Sequence, residues 1–169
     1  MESISVCENG QLISISYEEI MKYHGSGFPG GAAYALKAMQ RVFPLLDGGR
    51  PPERREISIE TAFTGQGGRD AFEMVTRCVT DGRYSVDPTM PEAQDCEESP
   101  GGYYYFRFRY RQKTVVAVLR PAYGHEEFNH LSRKEGKTPE DLRRLAEMRI
   151  ALAANVLASP PEEVYDVLS

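Results

Sequence analysis

The sequence predicts an α+β fold, with helices packed mainly on one face of a mixed or antiparallel sheet. Three observations carry this prediction. The elements run helix, helix, strand, helix, short strand, hairpin, helix, helix, which is a mixed order. The clearest strand pair, in the C-terminal half, is an antiparallel hairpin. Two long segments repeat their apolar residues with a helical period. At 169 residues the chain fits one domain, residues 1–169.

In chain order, Ser16 and Glu19 form a capping box and open a short helix over 17–23, which ends at His24-Gly25. Pro29 suits a first helical position, and Ala32, Ala33, Leu36, Met39, Gln40 and Phe43 follow as one helical face. Small residues near its start allow close backbone approach, so this helix should be central. "LLDGGRPPERR" reads as a loop and "REISIET" as a strand with one buried face. A second glycine-rich stretch, "TGQGGRD", precedes a helix on which Phe72, Val75, Cys78 and Val79 share a face, with Asp70 in its first turn. Residues 87–102 hold five carboxylates, three prolines and no Lys or Arg, the composition of a solvated loop or lid.

The hairpin follows as "YYYFRFRY" and "TVVAVLR". Alternation puts Tyr104, Phe106, Phe108 and Tyr110 on one face, which should be the buried one. "GHEEFNHLSRKEG" reads as a short helix ending at Gly136. Thr138, Pro139 and Asp141 open a long last helix with Leu142, Leu145, Met148, Leu152 and Val156 as its stripe, and a short strand closes the chain.

The net charge is −5, and the basic residues form no long run, which weighs against nucleic-acid binding. No window approaches the roughly 20 apolar residues that cross a bilayer, and the N-terminus does not resemble a signal peptide, so a soluble cytoplasmic protein is expected. Cys7, Cys78 and Cys96 are an odd set without close pairing and suit reduced thiols.

The segment 23–36, "YHGSGFPGGAAYAL", sets an imidazole among glycines at a helix start, where free N–H groups favour anionic or electron-rich ligands. The alternative is structural, with His24 capping the preceding helix and the glycines allowing close packing. Asp70 is open to the same two readings, as a site residue or a charge against the helix dipole. Cys78 is either a buried small hydrophobe or a nucleophile. His125 and His130, five apart, do not share a helix face as a metal pair would.

The same segment resembles the first signature of the FmdE-like family, named for a component of formylmethanofuran dehydrogenase: H-G-H-x-C-P-G followed by a small-residue helix. "GGRDAFEMVTRCVTDGRYSV" is similar to the family's second signature, and the hairpin and the closing helix with "PPEEVYDV" fall in the family's order. The resemblance spans about residues 17 to 168. It implies an α+β core domain, a homodimer, and a groove proposed to bind metal or substrate. It carries over His24, Gly25, Pro29 and Gly30, and less directly Asp70 and Cys78. Ser26 stands where the family has a second histidine, Phe28 where it has the signature cysteine, and Gly67 near the cysteine of the second signature; the C-terminal zinc finger of some members is absent.

Those replacements leave too few donors for a closed four-ligand zinc centre, while an open site of His24 with Cys78 or Asp70 remains. Phe28 adds an apolar wall suited to an organic ligand. The leading expectation is a groove between the two glycine loops that binds a small organic ligand or a divalent metal such as zinc. His24, Ser26, Phe28 and Asp70 would bind the ligand, and His24 with Cys78 the metal. The rivals are a thiol-dependent enzyme with Cys78 as nucleophile and His24 as base, and a non-catalytic protein of assembly.

Overall fold

The computed structural model describes residues 2–168. Its first element is not among the expectations above. Strands β1 (Ser3–Glu8) and β2 (Gln11–Ser16) pair antiparallel around Asn9-Gly10. Both turn residues have positive φ, 52° and 79°. A two-residue hairpin turn with the right twist requires that conformation, and Asn-Gly reaches it at least cost.

The remaining elements are α1 (Tyr17–His24), α2 (Pro29–Leu46), β3 (Ile57–Thr61), α3 (Gln66–Thr76), β4 (Tyr84–Val86), β5 (Glu98–Ser99), β6 (Gly102–Tyr103), β7 (Tyr105–Tyr110), β8 (Lys113–Leu119), α4 (Glu126–Arg133), α5 (Pro139–Ala158), α6 (Pro161–Val164) and β9 (Tyr165–Leu168). Five strands form the main sheet in the order β4-β3-β7-β8-β9. Only β3 and β4 are parallel, and every other pair in it is antiparallel. The predicted α+β class, mixed sheet and C-terminal hairpin are therefore present.

Helix α2 is the centre of the molecule. Ala32, Ala33, Ala35, Leu36, Ala38 and Met39 have no exposed surface, because α2 packs against α3, α5 and the sheet. The sheet answers with Phe106 and Phe108, against which Phe72 of α3 lies edge-on at 5.6 and 5.9 Å between ring centroids. Burying each such ring stabilises the fold by about 1.5 to 3 kcal/mol. The predicted aromatic face of β7 is thus the core face.

The other face carries Tyr105, Arg107 and Arg109. Here the segment 87–102 departs from its solvated reading. Met90 and Ala93 are buried against Ala62, Tyr105 and Val116, and β5 pairs with β6 to end the segment as a small hairpin. Glu92 turns back to Arg107, which also binds Glu60 at 2.7 Å. The acidic composition describes the outer side of this strap, and Met90 and Ala93 describe its inner side.

Helix ends follow their local sequence closely. Ser16 and Glu19 satisfy each other at the start of α1 (3.1 and 2.8 Å), and Thr138 and Asp141 do the same for α5 (3.1 and 2.9 Å). The buried Arg54 closes the end of α3 by donating to the carbonyls of Met74 and Val75. The stripe on α5 is narrower than predicted. Leu145, Leu152 and Val156 are buried, but Leu142, about 60° round the helix from Leu145, is exposed. Among the described residues no helix is long and apolar enough to cross a membrane.

Candidate functional site

The contacts of His24 are defined at both nitrogens. Nδ1 donates to Asp70 Oδ2 at 2.8 Å, and Nε2 accepts the backbone N–H of Phe28 at 3.0 Å. With the Phe28 N–H directed at Nε2, the ring hydrogen is the one on Nδ1 that faces Asp70. The side chain is only 5% exposed. It ties the end of α1 to α3 and holds the backbone just before α2, and each ring nitrogen has a protein partner. The expected contact between the two glycine segments exists, but it is a structural link.

Helix α3 begins at Gln66, four residues before Asp70. Asp70 therefore belongs to the second turn, and the first turn carries no acidic residue. The glycines read as a loop are helical for a packing reason. A Cβ on Gly67 would strike the carbonyl oxygen of Phe28 and come within 2.9 Å of Ala32 N; one on Gly31 would lie 3.3 Å from Gly68 N. The starts of α2 and α3 cross backbone on backbone.

Beside this crossing lies a pocket of about 360 Å³, inside the range of small-molecule sites. Gly30, Gly31, Gly65 and Gln66 form its floor, so both glycine segments do frame one cavity. Its walls are aromatic: Phe28, Tyr34, Phe63, Tyr104 and Phe128. Phe63 stacks on Tyr104 at 5.1 Å, and Tyr34 lies 4.5 Å from Tyr104. Burial holds the hydroxyls of Tyr34 and Tyr104 protonated, above their ordinary range. Phe28 is the wall expected of it. His24, Ser26, Asp70 and Cys78 do not line the cavity.

Three buried polar atoms at this pocket have no protein partner: Ser99 Oγ, Ser132 Oγ and Arg149 Nε. Ser99 is 1% exposed. The Arg149 guanidinium lies 5.0 Å over the Phe28 ring. Buried donors without partners cost about 1 to 3 kcal/mol each, which is why they are uncommon outside sites. The starts of α2 and α3 also lack side-chain caps and first-turn carboxylates, whereas α1 and α5 have both.

Cys78 is placed otherwise than its proposed roles require. It follows the end of α3, fully buried in the main core, and Asp70 is about 9 Å of helix away from Thr76. Burial pushes its thiol up to about 11. A thiolate and a free imidazole, the two needs of the thiol mechanism, are both lacking at this pair. Among the described residues no group of three His, Cys, Asp or Glu side chains is placed to hold a metal ion; of the donors proposed for zinc, His24 and Asp70 bond to each other, and Cys78 lies in the core. His125 and His130 do border one polar cleft, with Cys96, Asn129 and Arg133.

The class defined by this geometry is an α+β domain with one aromatic-walled pocket at the crossing of two glycine-started helices. Comparison with models of known protein families and with curated proteins finds no match. The likeness to the FmdE-like family thus rests on the signature residues themselves. Sequence reasoning missed Tyr34, Phe63, Ser99, Tyr104, Ser132 and Arg149. Arg149 is one of several basic residues on α5, and nothing in its neighbours marks it. Ser99-Pro100-Gly101 does carry a turn signal, but only folding brings it to the pocket.

Proposed function

We propose that this chain is an FmdE-like ligand-binding domain, and that its pocket takes a small organic molecule with a flat, apolar body. The observation that carries the proposal is the cavity of about 360 Å³ walled by five aromatic side chains and floored by glycine backbone. Glycine lets a ring approach the main chain closely, and aromatic walls stack on it. The organic-ligand reading is preferred to the metal reading because both nitrogens of His24 are engaged and Cys78 lies in the core.

The test is a screen of single-ring fragments by ligand-observed NMR against the wild type and Leu152→Trp. Leu152 lines the pocket and is nearly buried, so indole there fills it. Fragments that bind the wild type and not a folded Leu152→Trp support the reading, and fragments that bind both equally refute it. A soluble cytoplasmic homodimer accompanies the proposal, supported by the exposed Leu142 and Ile150 on α5. Native mass of the same sample reads the oligomer, and a monomer at micromolar concentration removes that part.

A further inference from the structure

We propose, on the footing that this pocket binds a small organic molecule, that the ligand is a carboxylate whose charged group sits at Arg149, Ser99 and Ser132. Arg149 is the only charged side chain among the residues that line the pocket. It forms no ion pair among the described residues, in a protein where most arginines do, and its Nε is buried without an acceptor. Ser99 and Ser132 add two hydroxyls on the same cavity, each without a partner, and Ser99 is 1% exposed. Three buried, unpartnered donors and no acidic side chain border one cavity.

The starts of α2 and α3 contribute in the same sense. Both lack caps, and the backbone N–H groups of Gly30, Gly31, Gln66 and Gly67 have no partner within their own helices. Each helix start is equivalent to roughly half a positive charge. The surroundings thus offer the full charge of Arg149 and the partial charges of two helix starts, which favours an anion over a neutral ligand. A guanidinium edge also meets the two oxygens of a carboxylate in a plane, through Nε and one terminal nitrogen. The aromatic walls fit a ring attached to that carboxylate.

The experiment pairs acids with their primary amides, which share shape and differ in charge: benzoate with benzamide, phenylacetate with phenylacetamide, cinnamate with cinnamamide, and phenyl phosphate alongside. Each is titrated at pH 7 against wild type, Arg149→Gln, Arg149→Lys and Ser99→Ala, with thermal melting to show that each variant is folded. At least one acid should bind about tenfold or more tightly than its amide. Arg149→Gln should bring the two within about twofold, and Arg149→Lys, which keeps the charge without the Nε donor, should fall between. Amides that bind as well as acids, neutral fragments that bind where no acid does, or phenyl phosphate that binds best would each overturn the carboxylate and leave the pocket reading standing. If no fragment of any charge binds, both fall together.

Discussion

His24 shows how one residue can be placed correctly in a sequence motif and still have a different task. Its imidazole spends both nitrogens on Asp70 and Phe28, joining two helices and the backbone between them. Replacing it with alanine removes its hydrogen bonds to the Asp70 carboxylate and the Phe28 N–H, so His24→Ala should lose about 1 to 3 kcal/mol in urea unfolding. Ser26, exposed in the same loop, should tolerate alanine within about 0.5 kcal/mol. Equal midpoints for wild type and His24→Ala would remove the linking role. The motif was legible because histidine and glycines are rare neighbours. Its chemistry was not, because the partner of an imidazole 46 positions away is a product of packing. Arg149 is the converse case: silent in the sequence, and the most conspicuous donor once folded.

Among the elements, α2 and α3 owe their geometry to glycines whose local sequence suggests a loop. Gly67 costs its helix roughly 1 kcal/mol in propensity relative to alanine. That loss is offset by an approach no other residue permits, since a Cβ would strike the Phe28 carbonyl. Gly67→Ala should therefore destabilise the protein by about 2 to 3 kcal/mol despite its better propensity, and also weaken binding of any pocket ligand. A denaturation midpoint at or above that of the wild type would contradict the crossing. Elements with strong local signals, the capping boxes of α1 and α5 and the hairpin of β7 and β8, were readable for the same reason: their partners lie within a few residues. The strap at 87–102 was not, because acidic composition reports the solvent side, and only the scattered Met90, Ala93 and Ser99 lie on the buried one.

At the scale of the molecule, the three cysteines should respond differently to reagents. Cys78 is sealed in the core with its thiol pushed up to about 11, while Cys7 and Cys96 are half-buried. A group whose folded value is raised stabilises the fold below its ordinary value near 9 and loses that contribution as pH rises through about 11. Stability should thus fall across that alkaline window, less so in Cys78→Ala measured against its own neutral value. Thiol labelling at neutral pH should reach two cysteines quickly and the third only at the rate of unfolding. Three fast thiols would place Cys78 outside the core.

The pocket walls come from four distant stretches: Phe28 to Tyr34, Phe63 to Gln66, Ser99 to Tyr104, and Phe128 to Leu152. No one of them encloses a ligand alone, so the cavity exists only where the whole chain has folded. Occupancy and folding are then a single linked equilibrium. A ligand present at 100 times its Kd adds about 2.7 kcal/mol to the stability of this domain, a large share of what a domain of this size commonly has. Under the proposed function, the cellular concentration of that ligand would set how much of this protein persists, and its abundance would report on the proposed small molecule.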